Sequence, residues 1–220
     1  MARPQRIPRP TVKRLSLYLR ELEDLAEHQH ETISSKRLGA ALGLTDAQVR
    51  KDLAYFGQFG HPGVGYRVPE LIGQLRKILG TDRNWNAAVV GAGNVGRAII
   101  AYQRFRRKGF DVVAVFDDDP AIIDREIAGH RVRSMSDLAR LVRELDIKIG
   151  VLTVPAAVAQ EVTDRLIAAG VRGILNFAPV RLDVHDAVAV ASVDFSVALE
   201  QLAFQISLGV TGSLDEKGEE

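Results

Sequence analysis

The sequence contains no cysteine among its 220 residues, which excludes disulfides, thiolate metal sites and thiol redox chemistry. Any redox role must therefore come through a bound cofactor. No apolar stretch approaches the length of a membrane span, and the basic start MARPQRIPRP lacks the apolar core of a secretion signal. With 46% hydrophobic and 26% charged residues, the chain predicts a cytoplasmic protein of two domains.

Acidic residues are scarce in the first part of the chain. Residues 1–80 contain 13 Lys and Arg against 8 Asp and Glu, whereas residues 81–220 contain 16 against 20. The two parts therefore have net charges of +5 and −4. A basic segment indicates a polyanionic partner, although a solvated surface with uneven charge would give the same numbers.

Two helices are predicted first. After Pro10, apolar residues at helical spacing form one stripe, which consists of Val12, Leu15, Leu19, Leu22 and Ala26. In a second, short helix, Ser34 or Ser35 can supply the N-cap and Gly43 can end the helix in a left-handed turn. The apolar residues of this helix are Leu38, Ala41 and Leu42.

A third helix opens with Thr45 to Gln48, TDAQ, which is a capping box. One face carries Val49, Leu53 and Phe56, and the other carries Ala47, Arg50, Lys51 and Ala54, with Tyr55 beyond. The second face suits the major groove, because small residues allow close approach and cations meet phosphates or guanine edges. An ordinary solvated face would explain the charges alone, but not the capped short helix before them.

A glycine-rich segment then predicts a β-hairpin, or wing. Gly57, Gly60, Gly63 and Gly65 surround Pro62, and Tyr66 and Val68 are strand residues. Pro69 starts a fourth helix that ends at Gly80 and has Leu71, Ile72, Leu75, Ile78 and Leu79 as its apolar set. The whole predicts an α+β winged-helix DNA-binding domain over residues 1–80, with a helix-turn-helix at about 34–57 and a wing at about 58–68. An interaction module without nucleic acid is the alternative.

The segment GAGNVG, Gly91 to Gly96, lies between an apolar run and a helical pattern that reaches about Arg107. In a dinucleotide site the first glycine permits a tight turn, Gly93 lets the backbone approach a pyrophosphate, and Gly96 lets the helix pack closely. Asp117 ends the next strand, where an acidic side chain accepts hydrogen bonds from the adenosine ribose. Asp117 to Asp119 would also repel a 2'-phosphate, which favours NAD(H) over NADP(H).

Strands and helices continue to alternate over residues 85–195, which predicts a Rossmann-like, doubly wound, mostly parallel α/β sheet. A helix is expected at about 136–144, another from Pro155 to Gly170, and strands in KIGVLTV, RGILN and AVAVASV. Ligands bind at the carboxyl ends of such strands, so two loops should line the crevice. These loops contain Thr153, Val154 and Pro155, and Asn176, Phe177, Ala178 and Pro179. Alternatively, each of these residues only connects a strand to the following helix and does not contact a ligand.

Little sequence remains for catalysis after Asp194. One helix at about 195–210, with Leu199, Leu202, Ala203 and Ile206 as its stripe, has little of its own chain to cover and is predicted to pack against a second subunit. Residues 211–220 are expected to be disordered. The five histidines, at 28, 30, 61, 130 and 185, show no catalytic or metal spacing, and only His185 would merit a test as a base. We therefore expect neither an enzyme nor a metal site.

The chain resembles the Rex family of bacterial redox-sensing transcriptional repressors. The resemblance runs from TVKRLSLYLREL through QVRKDLAYFGQFG and GVGY to VVGAGNVGRA, VFDDDP, LTVP, LNFAPV and VDFS. It implies a homodimer with an N-terminal winged helix and a C-terminal Rossmann domain whose last helix is exchanged between subunits. It also implies binding to palindromic operator DNA when NADH is low and release when NADH rises.

The predicted site residues follow from the motifs and from this resemblance. The NADH/NAD+ contacts are Gly91, Ala92, Gly93, Asn94, Val95, Gly96, Asp117, Thr153, Val154, Pro155, Asn176, Phe177, Ala178, Pro179 and, near the nicotinamide, Phe195. The DNA contacts are Ser35, Lys36, Ala47, Arg50, Lys51, Tyr55 and Tyr66. By resemblance, Arg20, Tyr102 and Asp194 pair differently in the two ligand states. The wing tip HPGVGY is less basic than the family pattern leads us to expect.

NAD+ and NADH differ by one ring charge and by ring planarity. We hypothesise that an apolar pocket around Phe177, Ala178 and Phe195 prefers the neutral, reduced ring. Two other classes stay open at this point. One is a small NAD(P)-dependent oxidoreductase, which the missing catalytic constellation disfavours, and the other is a regulator that binds coenzyme A or another adenine nucleotide.

Overall fold

The computed structural model of the chain describes residues 7–102 and 104–209. The chain divides into two compact units. The first comprises the chain up to Asp82 and, of the later described residues, Leu208 and Gly209, and the second covers Arg83–Ser207. This boundary lies close to the predicted end of the first domain at residue 80. The tail 211–220, expected to be disordered, lies outside the described residues.

The first unit contains the four predicted helices and a small antiparallel sheet. Its elements are α1 (Arg9–Glu27), β1 (Thr32–Ile33), α2 (Ser35–Ala41), α3 (Asp46–Ala54), β2 (Tyr66–Arg67) and α4 (Val68–Leu79), and β1 pairs with β2. Ser34 caps α2 by accepting from the Arg37 amide at 3.1 Å, and Gly43 follows with a φ of 66°. The prediction of Val68 as a strand residue is wrong: it is the first residue of α4, since Pro69 fits the first turn of a helix.

The core of the first unit corrects the predicted stripe of α1. Tyr18 and Leu25 are buried together with Leu15, Leu19 and Leu22, whereas Val12 is 42% exposed and Ala26 is exposed. At 3.6 residues per turn, positions 15, 18, 22 and 25 share one face and Val12 lies at its margin, whereas Ala26 lies in the last turn of the helix, which ends at Glu27. Ala41, predicted in the apolar set of α2, is also exposed.

The second unit alternates strands and helices. Its elements are β3 (Trp85–Val90), α5 (Asn94–Ile100), α6 (Arg104–Arg107), β4 (Phe110–Asp117), β5 (Glu126–Ile127), β6 (His130–Ser134), a 3₁₀ turn (Met135–Asp137), α7 (Leu138–Glu144), β7 (Ile149–Leu152), α8 (Ala156–Ala169), β8 (Gly173–Asn176), β9 (Ala189–Ser192) and α9 (Phe195–Ser207). The prediction that the helix after the fingerprint reaches about Arg107 is wrong, since α5 ends at Ile100 and a separate short helix, α6, follows. The β5–β6 pair is not among the predicted elements.

The seven strands form one sheet in the order β5-β6-β4-β3-β7-β8-β9. All neighbouring pairs are parallel except β5 with β6. Leaving out β5, this is the Rossmann order 3-2-1-4-5-6, in which the strand order reverses between β3 and β7. The crevice predicted at that reversal therefore lies between the segment after Val90 and the segment after Leu152.

Candidate nucleotide site and nucleic-acid interface

The fingerprint begins where β3 ends, and its glycines have the predicted geometry. Gly91 has a φ of 99°, and a Cβ on it would lie 2.6 Å from the carbonyl oxygen of Thr153. A Cβ on Gly96 would collide with the carbonyl oxygen of Gly91, so α5 packs directly against the turn. Gly93 faces open space, since a Cβ added to it would have no heavy atom of the described residues within 4 Å beyond its chain neighbours and its own helix. The turn thus leaves room for a ligand at Gly93 and none at the other two positions.

Two side chains brace this turn. The Thr153 hydroxyl donates to the Gly91 carbonyl at 2.7 Å and lies 3.0 Å from the Val90 carbonyl. The Arg97 Nε donates to the Ala92 carbonyl at 2.9 Å. Because the turn is held by β7 and by its own helix, the amides of the fingerprint are ordered before a ligand arrives.

Asp117 stands at the end of β4, as predicted. Its Oδ2 accepts from the Ala92 amide at 2.7 Å, and its Oδ1 accepts from the Asp119 amide at 2.9 Å. Each carboxylate oxygen has a second lone pair, so both oxygens can still accept from a ribose hydroxyl. Asp118 and Asp119 are exposed beside it, which makes this edge of the site strongly negative.

A cavity of about 570 Å³ opens at the carboxyl ends of these strands, a volume typical of small-molecule sites. Of the predicted residues, it is lined by Gly91, Gly93, Val95, Asp117, Thr153, Val154, Pro155 and Phe177. Sequence reasoning missed seven residues of the lining: Val90, Ile122, Met135, Val158, Glu161, Val162 and Arg165. The helical spacing of 158, 161, 162 and 165 could have identified one face of α8, but Met135 depends on the unpredicted strand β6.

The second crevice loop is organised by Asn176, which is 0% exposed. Its Nδ2 donates to the Val180 carbonyl at 2.9 Å, and its Oδ1 accepts from the Ala178 amide at 2.9 Å. The Phe177 and Phe195 rings lie 6.2 Å apart. The lining of the cavity does not include Ala92, Asn94, Gly96, Asn176, Ala178, Pro179 or Phe195, whose contact with a nucleotide stays a prediction.

His185 is not placed as a catalytic base. Its Nδ1 accepts from the Ala187 amide at 3.2 Å, and the residue is exposed and outside the lining of the cavity. Within residues 7–102 and 104–209, no three His, Cys, Asp or Glu residues form a group that could hold a metal ion. In the same described segments, no helix has the length and apolar character needed to cross a membrane.

The predicted DNA-reading face of α3 is exposed. Thr45 caps the helix by accepting from the Gln48 amide at 3.1 Å, although the Gln48 side chain bonds to Asp52 and does not close the capping box. The face consists of Ala47, Arg50, Lys51 and Ala54, all exposed, and Tyr55 at its end is half-buried. An accessible helix face with two cations is what major-groove entry requires.

Two side-chain hydrogen bonds hold Arg50. Its Nη1 donates to Asp46 Oδ2 at 2.6 Å and to the Ser35 hydroxyl at 3.2 Å, which joins α3 to α2. The hydrogen bond from Arg50 lowers the pKa of Asp46 below its ordinary value. Lys36 is exposed on α2. Tyr66, predicted as a DNA contact, is only 6% exposed. In the two-residue strand β2 its side chain faces the core, and that of Arg67 faces solvent.

Asp52 on the same helix is a fully buried carboxylate. It is 0% exposed, although Lys51 directly before it is exposed. Arg14 donates to it through Nε at 2.6 Å and Nη2 at 2.8 Å, and the Tyr18 hydroxyl donates at 2.8 Å. Burial alone would raise the pKa of Asp52, but the hydrogen bonds from Arg14 and Tyr18 outweigh burial and hold the pKa below its usual value. In the sequence this residue resembles one more surface charge.

Comparison with known proteins places this architecture in a family. Residues 6–54 match the family described as putative DNA-binding protein N-terminus, and residues 82–180 match that described as CoA binding domain. The redox-sensing transcriptional repressor Rex of Carboxydothermus hydrogenoformans is 51% identical over 201 residues, which cover 91% of this chain and 97% of that protein. The chain belongs to the Rex family.

Rex repressors and their structures match nearly the whole chain. The Rex of Streptomyces griseus is 44% identical and covers 98% of this chain and 86% of its own. RSP, a Rex-family repressor solved with β-NAD+ and operator DNA, aligns with a TM-score of 0.89 at 36% identity over 93% of this chain and 94% of its own. RSP with β-NADH has a TM-score of 0.84 at 34% identity, covering 93% and 96%. These relatives are named repressors, in agreement with the expectation of a protein that is not an enzyme.

The three switch residues expected for a Rex protein are all exposed. Arg20 belongs to the first unit, and Tyr102 and Asp194 belong to the second. Tyr102 is 50% exposed and contacts the Phe105 ring edge-on at 4.9 Å. Asp194 accepts from the Ser196 amide at 2.8 Å at the start of α9. Their pairing in different ligand states stays a prediction.

Helix α9 exposes a series of large apolar side chains. Its apolar side chains include Leu199 at 66% exposure, Leu202 at 48%, Phe204 at 63% and Ile206 at 78%, and none of its residues is buried. A monomer rarely exposes so contiguous an apolar stripe, so this face marks an interaction site.

Proposed function

We propose that this chain is a transcriptional repressor that binds palindromic operator DNA when NADH is low and leaves it when NADH binds. The observation that carries the proposal is a cavity at Asp117 and the glycine fingerprint in the same chain as a capped helix whose exposed face carries Arg50 and Lys51. The likeness to RSP, solved with NAD+ and operator DNA and with NADH, supports the same pairing of ligands.

In this proposal the dinucleotide lies across the crevice at the strand-order reversal. Its pyrophosphate approaches the backbone at Gly93 and the amides that open α5, where the helix end favours negative charge. Asp117 accepts from the ribose hydroxyls. The adenine fits the apolar part of the cavity formed by Ile122, Met135, Val158 and Val162. The three consecutive aspartates favour NAD(H) over NADP(H) by repelling a 2'-phosphate.

The nicotinamide end must distinguish the reduced from the oxidised ring. The Phe177 and Phe195 rings, 6.2 Å apart, form the start of an apolar environment that favours the neutral ring of NADH. NADH can displace the DNA-binding form only by as much as it prefers the other form. By reciprocity, operator DNA weakens NADH binding by the same factor.

A homodimer completes the proposal. A palindromic operator presents two equivalent half-sites, which a two-fold symmetric dimer can read with two copies of α3. The exposed stripe of α9 supplies the surface for that dimer, and its cover would be the second copy of the chain.

The test is operator binding by fluorescence anisotropy at fixed salt, with NADH and NAD+ added at varied ratio. We expect tight binding with NAD+ or without nucleotide and release on addition of NADH. Absence of binding to any palindromic operator of the family, or binding that ignores the NADH/NAD+ ratio, would contradict the proposal.

Coenzyme A is the second candidate, because residues 82–180 match the family described as CoA binding domain. Coenzyme A carries a 3'-phosphate on its ribose, and Asp117 to Asp119 would repel that phosphate as they would a 2'-phosphate. Parallel calorimetric titrations with NADH, NAD+ and coenzyme A separate the two candidates. Tighter binding of coenzyme A than of NADH would replace the proposed ligand.

A further inference from the structure

Asp52 is a charged residue of the recognition helix for which the proposed function has no use. It is fully buried, whereas its neighbours Arg50 and Lys51 face solvent. A buried carboxylate is stable only when it is paired and hydrogen-bonded. The partners of Asp52 therefore indicate what it does.

Four side chains donate to this carboxylate, and three of them come from α1. Arg14 reaches both oxygens, the Tyr18 hydroxyl donates to Oδ2 at 2.8 Å, and the Thr11 hydroxyl donates to Oδ1 at 3.3 Å. The fourth donor is Gln48 on α3 itself, at 2.8 Å from Oδ1. Asp52 is thus the polar junction that fixes the recognition helix on α1.

The same junction also pairs the charge of Arg14 on α1. The Arg14 side chain is 20% exposed, and its bidentate pairing with Asp52 cancels its charge locally. The hydrogen bond to Asp52 also raises the pKa of Arg14, so the pair stays ionised. The cations that α3 offers to DNA are Lys51 and Arg50, which is itself paired with Asp46, whereas Arg14 on α1 is held by Asp52.

We propose that Asp52 is a positioning residue that sets operator specificity, by fixing the orientation of α3 on α1 and by neutralising Arg14. The inference rests on the proposed function. Base edges are read only by a helix held in a fixed orientation, whereas attraction to phosphates carries no sequence information. Loss of Asp52 should therefore change specific and non-specific binding in opposite directions.

The experiment measures the affinity of full-length Asp52→Asn for operator and for a random duplex of equal length. We expect operator affinity to fall at least about tenfold, because α3 loses its junction, and random-duplex affinity to rise about two- to threefold, because Arg14 becomes an unpaired cation. Unfolding of the first unit would instead lower both affinities. NADH affinity without DNA should match wild type.

Two further variants complete the test. Tyr18→Phe keeps the ion pair and removes one donor. We therefore expect its specificity ratio, the affinity for operator divided by that for the random duplex, to stay within about threefold of wild type. In Arg14→Gln with Asp52→Asn the unpaired cation is gone, so random-duplex affinity should return to wild type while operator affinity stays low. If Asp52→Asn does not fold, the double variant replaces it, and a lowered ratio there supports the inference.

Different results would refute the role of Asp52 and the proposed function. A wild-type specificity ratio in Asp52→Asn, or in the double variant, would refute the role of Asp52. Equal loss of both affinities in a folded Asp52→Asn would also refute it. A wild-type protein that does not bind operator or does not respond to NADH would instead refute the proposed function.

Discussion

Replacing Asp117 by Ala tests the nucleotide site at its most specific point. The side chain lies at the end of β4, with Oδ2 bonded to the Ala92 amide and Oδ1 to the Asp119 amide. In the proposed complex, both oxygens also accept from ribose hydroxyls. The substitution therefore removes the ribose contacts and one brace of the fingerprint turn together.

The expected loss can be worked from these bonds. A hydrogen bond to a charged acceptor contributes about 1.5–3 kcal/mol, so two ribose bonds at the lower value correspond to about 3 kcal/mol. This is on the order of a 100-fold loss of NADH affinity. The assay is calorimetric titration of the purified dimer with NADH. Circular dichroism of the variant checks that the fold is retained.

Asp118→Asn provides the matched control. Asp118 lines the same cavity but is exposed, and Arg165 lies 3.9 Å from its carboxylate. We expect its NADH affinity to stay within about threefold of wild type, since exposed ion pairs contribute little. An unchanged NADH affinity in Asp117→Ala, or equal losses in both variants, would refute the assignment of the ribose to Asp117.

Three further predictions concern the turn, the dimer and pH. Gly96→Ala should cost about 3 kcal/mol or more of unfolding free energy and abolish NADH binding, because the new Cβ collides with the Gly91 carbonyl; wild-type thermal unfolding and NADH titration would contradict this. Leu202→Asp with Ile206→Asp should yield monomers in sedimentation velocity, since both side chains lie on the exposed stripe of α9; an unchanged sedimentation coefficient would exclude α9 from the interface. The pKa of Asp52 is lowered in the folded state, so its contribution to stability is present above the unfolded value of about 3.9 and is lost as pH falls through the folded pKa. Acid unfolding of wild type should thus show a loss of stability below about pH 4 that is weaker in Asp52→Asn, and identical acid profiles would count against the ionised network.

Local signals are enough to predict much of the fold and of the candidate site. The Thr45 cap and the left-handed Gly43 fix the helix-turn-helix within a few residues, because capping is decided by neighbours in the sequence. The same holds for Gly91 and Gly96, whose roles follow from the turn itself. The position of Asp117 follows from its distance to the fingerprint, which one βαβ unit determines.

The misses at the two candidate sites depend on contacts between distant segments. The sequence predicts Tyr66 as a DNA contact, but which face of a two-residue strand is buried is decided by its place in the core cluster of the first unit. Asp52 resembles a solvated charge, because its partners Arg14 and Tyr18 lie more than thirty residues away. The cavity residue Met135 follows a strand, HRVRS, whose polar composition hides its place beside β4.

The most direct test of the account is the affinity of the wild-type protein for a palindromic operator as the NADH/NAD+ ratio is raised at constant total nucleotide and constant salt. The account predicts that operator binding falls steeply with this ratio, and that operator DNA weakens NADH binding by the same factor when the titration is reversed. Operator affinity that is independent of the ratio would contradict it.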